Sequence, residues 1–385
     1  MGVGIAAMYI AGVADESGMS IERPKTSTRD RAALRTGLQR WLQLRHPAGT
    51  AATIADFDAP STNGMSSETI LVTVEWQDGS TQRERLVVRL SPDAAAVPVF
   101  PTYDLDKQFR VMQLVGEHTT VPVPPMRWYE ASDQWLGSPF LVMGHIDGQV
   151  PPDMMPYVFG SWLTEATADQ RDALQHATVS VLANLHAMPI GPNCAFLEYE
   201  VEGTTPLRRH VEDQRRFYDW VAADGVRSPL IERSFAWLDN HWPAEGETVI
   251  SWGDSRIGNI LYQDFRPAAV LDWEMVGLAT REVDLAWLVC LHRSFQEIAE
   301  RYGVPGLPDF LRRADVTTTY RELTGYDPHD MDWYEAYAAL RFAIIMFRIT
   351  RRSVRFGEAE MPADPDDAIS HRALLERMLD GTYVP

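Results

Sequence analysis

Apolar positions along the chain change period part-way. In the first third they alternate or form short β-branched runs, in "ATIADFD", "ETILVTVEW" and "RLVVRL". Such runs read as strands. The second strand is expected over Thr69–Trp76 and the third over Arg85–Leu90, with the Asp78-Gly79 pair between them as a hairpin signal. A helix follows over Asp104–Gly116, then the connector "VPVPP" and the strand "MRWYE". An apolar strand, "SPFLVMGHI", ends near Asp147-Gly148. Upstream, Leu34, Leu38, Trp41 and Leu42 fall at helical spacing, which predicts a helix over Arg29–Leu44 capped by Thr28 or Asp30. From about Pro151 the helical period dominates, over Ala168–His186, Pro206–Ala223, Pro229–Asn240, Glu282–Tyr302 and Met331–Val354. An α+β chain is therefore expected, a small β-rich part followed by a larger helical one, divided at Gly144–Pro152. Residues 1–50 make a tail and helix, 51–147 the sheet with one helix, and 148–385 the helical part.

One island of strand interrupts the helices. "ISWGDSRIGNILYQDFRPAAVLDWE", Ile250 to Glu274, packs Asp254, Asn259, Asp264, Asp272 and Glu274 between apolar strings. "NILYQ" and "AAVLDWE" read as a hairpin whose second strand delivers Asp272. An acid at the end of a buried strand is costly unless it is paired or binds a metal. Asp254 and Asn259 are five apart, with Gly253 and Gly258 beside them to permit tight turns. Asn259 and Asp272 offer hard oxygen ligands that suit Mg²⁺ with phosphate oxygens. Asp254 is free to orient or deprotonate a hydroxyl. The order is that of kinases: a catalytic Asp, an Asn five residues on, then a second metal-binding Asp.

Composition narrows the field. With 385 residues and 45% apolar content, two lobes with a substantial core are affordable. The net charge of −19 argues against nucleic-acid binding. No apolar run is long enough for a membrane helix, so no membrane partner is expected. Cys194 and Cys290 lie far apart, outside any metal-ligand spacing, which fits a reducing cytoplasm. The opening "MGVGIAAMYIAGVA" reads as a tail, with Met19 as an alternative start.

"WGDSRIGN…VLDWE" resembles the H-G-D-x-x-x-x-N…D-x-[DE] signature of the aminoglycoside phosphotransferase-like family, in a form nearest to its actinobacterial members. The resemblance runs from about Ala51 to Leu291. It implies a two-lobed protein-kinase-like fold, ATP or another nucleoside triphosphate with Mg²⁺ as cofactors, and transfer of phosphate to a hydroxyl of a small molecule. The family's acceptors include aminoglycosides, macrolides, choline-like alcohols, sugars and amino acids. Relatives fused to acyl-CoA dehydrogenases suggest hydroxyacyl thioesters.

The resemblance also assigns residues. Asp254 becomes the catalytic base, and Asn259 and Asp272 the metal ligands. "STNGMSSET", with Gly64, Ser66 and Ser67, takes the place of the loop that covers the nucleotide. Arg89 stands where a lysine grips the phosphates, and Gln108 where a helix glutamate pairs with that lysine. Met143, Gly144 and Ile146 belong to the hinge strand that meets the adenine. His186 in "LANLHAMP" takes a structural role, as does Asp284, which opens a helix and holds the loop. Three positions depart from the pattern: Arg89 for Lys, Gln108 for Glu and Trp252 for His. Arg is no simple substitute for Lys, but Gln108 can accept one hydrogen bond from it. The alternative these departures raise is a catalytically impaired nucleotide binder. Strand alternation sets Glu274 on the side of Asp272, for metal, water or a structural bond. Arg256 serves phosphoryl charge or a salt bridge, and Asp264 is a solvated turn acid. Gly253-Asp254-Ser255 also spells the "GDS" of some esterases, but lies mid-chain, and the late "DAISH" has the wrong spacing.

Overall fold

The computed structural model describes residues 29–45, 51–58, 68–78, 80–93, 97–153 and 155–385. The tail with Met19, the nucleotide-loop residues Gly64, Ser66 and Ser67, and Gly79 of the hairpin turn lie outside these.

Helix α1 (Arg31–Arg45) precedes strands β1 (Ala51–Asp58), β2 (Glu68–Asp78) and β3 (Ser80–Leu90). Helix α2 (Leu105–His118) and strands β4 (Met126–Glu130) and β5 (Phe140–Gly144) complete the first part. The five strands form one antiparallel sheet in the order β1-β2-β3-β5-β4. Asp30 caps α1 through Ala33 N at 3.1 Å. The predicted stripe Leu34, Leu38, Trp41 and Leu42 is fully buried against Ile54, Val72, Trp76 and Phe140 on one face of the sheet. Helix α1 is thus part of the sheet layer rather than of a separate N-terminal segment. Each such side chain contributes about 1.5–3 kcal/mol by leaving water.

The other sheet face has a different partner. Val87, Leu141 and Met143 join Val111, Met112 and Val115 of α2 and the apolar side chains of the helical part in one continuous core. Two cations of α2 reach the helical part as well. Lys107 Nζ lies 5.3 Å from the Tyr199 ring and Arg110 lies 4.0 Å from Phe196.

The helical part comprises α3 (Trp162–Glu165), α4 (Ala168–His186), α5 (Pro206–Val221), α6 (Pro229–Asn240), α7 (Arg281–Arg301), α8 (Arg313–Thr324), α9 (Met331–Arg355) and α10 (Arg372–Leu379). Pro206 and Pro229 occupy first turns, where a missing N–H costs nothing, behind the side-chain caps Thr205 and Ser228. Helices α8 and α10 have no counterpart among the predicted elements.

Strands also fall differently from expectation around Ile250–Glu274. β6 (Thr248–Ser251) pairs with β9 (Gly277–Thr280), and β7 (Ile260–Gln263) with β8 (Arg266–Val270). The second hairpin strand ends at Val270, so Asp272 lies in a loop, with φ +61°. Strand alternation therefore does not govern Glu274. The β7–β8 turn places Asp264 and Phe265 at positive φ, with Asp264 exposed as expected of a turn acid.

Candidate active site

The loop between β6 and β7 is built around a carboxylate from behind. Because β9 pairs with β6 and runs directly into α7, the first turn of α7 faces the end of β6. Asp284 there is fully buried and takes Trp252 N at 2.8 Å, Gly253 N at 2.9 Å and Ser251 Oγ at 2.9 Å. His186 Nε2 lies 3.0 Å from it, and His186 Nδ1 lies 2.8 Å from Tyr320 Oη. Burial alone would raise the Asp284 pKa; the His186 contact and the two backbone amides outweigh it and hold the carboxyl below its ordinary range. Both residues hold the loop.

Gly253 is required by geometry. Its φ is +88°, and a Cβ there would sit 2.1 Å from Met275 O. Trp252, in the place of the expected histidine, is 1% exposed, and its indole donates to Leu271 O at 3.0 Å. Arg341 of α9 supports the loop from below. It donates to Gly253 O at 2.9 Å and stacks 4.4 Å from the Trp287 ring, while its Nε and Nη1 are buried with no hydrogen-bond partner.

Asp254 emerges from this support held on both oxygens. Oδ1 accepts from Trp287 Nε1 at 2.7 Å and Oδ2 from Asn259 Nδ2 at 2.7 Å. Arg256 Nε sits 3.1 Å from both. Asn259 Nδ2 also donates to Asp254 O at 3.0 Å, so its amide nitrogen is committed and its oxygen remains for a cation. Arg256 forms its other ion pair with Asp153, a residue that sequence reasoning missed. Burial would lower the Arg256 pKa, but Asp153 and Asp254 raise it well above the ordinary value. Of the two roles expected for Arg256, the structure shows the salt bridge, to Asp153 and Asp254.

Asp272 stands on the sheet side. Arg89 Nη2 donates to its Oδ1 at 2.9 Å, joining positions 183 residues apart. Burial lowers the Arg89 pKa, and Asp272 and then Glu274 outweigh that, so it ends raised. Gln108 is 2% exposed and its Oε1 has no partner. The expected hydrogen bond from Arg89 to Gln108 is thus not made: the guanidinium is turned to the two acids instead. Of the hinge residues, Met143 is buried in register with Val87, Gly144 N donates to Pro125 O at 2.8 Å, and Ile146 lies just past β5, half-buried.

The donor set suits Mg²⁺. Among the described residues no three His, Cys, Asp or Glu side chains cluster as an all-protein metal cage. An Asn oxygen and one carboxylate are what a cation needs when phosphates and water complete its shell. A cleft of about 810 Å³ behind the β7–β8 hairpin, lined by His176, Asn184 and Arg266 among others, contains none of these residues.

Residues 62–326 match the model of the phosphotransferase enzyme family. The chain belongs to that family. Its members among solved structures share the two-lobed protein-kinase-like fold seen here. A Ralstonia eutropha protein assigned to the aminoglycoside phosphotransferases superposes with a TM-score of 0.62 at 22% identity, over 90% of this chain and 97% of that one. The ADP-bound aminoglycoside phosphotransferase APH(2'')-Ib gives 0.54 at 11%, over 90% and 99%. The macrolide 2'-phosphotransferase MphH of Brachybacterium faecium gives 0.51 at 18%, over 86% and 96%. Among curated sequences, the probable acyl-CoA dehydrogenase IBR3 of Arabidopsis thaliana is 25% identical over 74% of this chain, and the mouse acyl-CoA dehydrogenase family member 10 is 24% identical over 70%. The chain spans only 35% and 25% of their lengths. No helix among the described residues is long and apolar enough to cross a membrane.

Proposed function

We propose that this phosphotransferase uses Mg²⁺ and ATP, or another nucleoside triphosphate, to phosphorylate a hydroxyl of a small molecule. The observation that carries the reading is Asp254, a carboxylate fixed on both oxygens and backed by the Asp284 network. In the transfer, the acceptor oxygen bonds to the γ-phosphorus while the bond to the β–γ bridging oxygen breaks. The nucleoside diphosphate leaves, and the hydroxyl proton passes to Asp254 and then to water. The Nε of Arg256, shared between the two Asp254 oxygens, covers the edge a hydroxyl would approach. Turning toward phosphate, Arg256 would uncover that edge. Asn259 and Asp272 would hold Mg²⁺, which when bound neutralises phosphate charge. Catalysis is then mainly positioning.

The second reading, a catalytically impaired nucleotide binder, draws on the Arg89–Asp272 bridge and the unpartnered Gln108. An ATP-consumption screen with Mg²⁺ against diverse hydroxyl compounds separates the two. Turnover with any of them supports the kinase, and Mg·ATP binding without transfer across the panel supports the alternative. Asp272→Ala should abolish Mg²⁺-dependent nucleotide binding; unchanged affinity would place the metal elsewhere. The acceptors named for the structural neighbours are aminoglycosides and macrolides. The curated relatives are named as acyl-CoA dehydrogenases, which is the reason to include hydroxyacyl thioesters in the panel.

A further inference from the structure

A buried cation stands directly behind the catalytic loop. Arg341, mid-way along α9, is 1% exposed. Its Nη2 donates to Gly253 O at 2.9 Å, while Nε and Nη1 have no hydrogen-bond partner, and among the described residues it forms no ion pair. An unpaired ion in a core is costly. Support for one loop carbonyl does not call for it, because a neutral donor would serve at less cost. What the charge adds is read from its neighbours.

Those neighbours are aromatic rings. The guanidinium lies 4.4 Å from the Trp287 ring and 5.8 Å from that of Tyr337. Trp287 sits on α7 one turn beyond Asp284, buried, with Phe342 edge-on at 6.4 Å. Its Nε1 donates to Asp254 Oδ1 at 2.7 Å. One ring thus meets the cation on its face and the base at its edge. A cation over an indole face draws on the electron density of the ring. The N–H at the edge becomes a stronger donor, and a hydrogen bond strengthened by charge holds a carboxylate more firmly. Contacts of 4.4 and 2.7 Å therefore join Arg341 to Asp254, and one of 2.9 Å fixes the backbone beside it.

Trp287 differs from the other holds on Asp254. In the proposed reaction Asn259 offers its oxygen to Mg²⁺ and Arg256 turns toward phosphate. Trp287 has no such second duty. As those two engage their ligands, the indole is the bond that keeps the carboxylate in place.

We propose that Arg341 is a positioning residue for the transfer: its charge acts through the Trp287 ring to strengthen the hydrogen bond that fixes Asp254 while Arg256 and Asn259 turn to phosphate and metal. This deepens the kinase reading above and rests on it.

The test uses two neutral variants, Arg341→Gln, which keeps a donor for Gly253 O, and Arg341→Met, which keeps none. Both remove an ion rather than the partner of one, so both should fold. With the acceptor found by the ATP-consumption screen, kcat should fall roughly tenfold in both, while the KM values for ATP and acceptor stay within about threefold. Trp287→Phe lacks the relaying N–H. In that background, adding Arg341→Gln should lower kcat by less than about twofold. Wild-type kcat in Arg341→Gln would reduce Arg341 to a prop for the loop and overturn the proposal, as would an equal loss with and without Trp287. A second readout needs no turnover. The Trp287 indole proton, identified by the resonance lost in Trp287→Phe, should move to higher field in both neutral variants as its bond to Asp254 weakens. An unchanged resonance overturns the proposal. A shifted resonance in a protein that phosphorylates no hydroxyl compound leaves the link from Arg341 through Trp287 to Asp254 standing and removes the kinase reading. Should one neutral variant not fold, the other carries every comparison.

Discussion

The two sides of the cleft differ in how their central acids, Asp254 and Asp272, are held. On the helical side, Asp284 takes up Trp252 N, Gly253 N and Ser251 Oγ of the β6–β7 loop, and Asp254 is held by Trp287, Asn259 and Arg256, while Arg341 beneath the loop keeps Nε and Nη1 buried without a partner. On the sheet side, Gln108 Oε1 is buried without a partner, and Arg89 reaches across to Asp272. A buried acceptor left unpaired costs about 1–3 kcal/mol. Around Asp254 the acid is fixed by several donors, the finished side of the cleft, whereas the single Arg89–Asp272 contact and the unpartnered Gln108 leave the sheet side unfinished.

The largest expected effect tests the finished side. Asp284→Ala strands the donors of Ser251, Trp252, Gly253 and His186 in the core, and should cost about 3–5 kcal/mol in denaturant unfolding, with loss of activity. A loss below 1 kcal/mol would mean that the loop does not depend on this support. Acid should bear on the same side. Burial pushes His292 and His371, both in the helical part, down to about 4 from 6.5. Unfolded imidazoles take up protons below pH 6.5 while the folded ones stay neutral to about pH 4. Stability should therefore fall as pH falls through that window, by up to about 3 kcal/mol per histidine. Flat stability from pH 6.5 to 4 would contradict their neutral burial.

Asp254→Asn addresses chemistry directly. Turnover should drop roughly 10²-fold or more while Mg·ATP affinity stays within a few-fold. Full activity in a stable variant would remove Asp254 from catalysis, and joint loss of stability, binding and turnover would make it structural. The unfinished side should respond more mildly. Arg89→Ala is expected to weaken ATP binding about tenfold, the scale of a lost charge-assisted contact, with folding retained. Unfolding instead would make the Arg89–Asp272 bridge a structural tie. The smallest effect should be a gain. Gln108→Met removes an unsatisfied carbonyl and should stabilise by about 1 kcal/mol. If ATP affinity also survives, Gln108 has no part in the nucleotide grip.

The sequence made one side of this contrast legible and left the other hidden. Gly253, Asp254 and Asn259 act within one short loop, so their spacing carries their geometry. Pro206 and Pro229 mark helix starts for an equally local reason. Asp153 meets Arg256 only through long-range folding, and Arg89 chooses Asp272 over Gln108 because burial makes a charge partner worth more than a neutral amide. Such choices have no signature in spacing. The apolar run to Leu271 reads as a strand that carries Asp272, yet the chain leaves the ladder at Val270 and turns at positive φ.

Trp252 has a consequence of an optical kind. Its indole is bonded to the carbonyl next to Asp272, its ring centroid lies 6.0 Å from that of Trp273, and Trp287 is bonded to Asp254 itself. Excitation absorbed by one of the paired indoles passes readily to the other at that separation. The emission of these three chromophores therefore depends on hydrogen bonds to Asp254 and to the Val270 and Leu271 carbonyls that lead into Asp272. A tryptophan at the position where the family pattern has a histidine thus builds a fluorophore into the loop that carries Asp254.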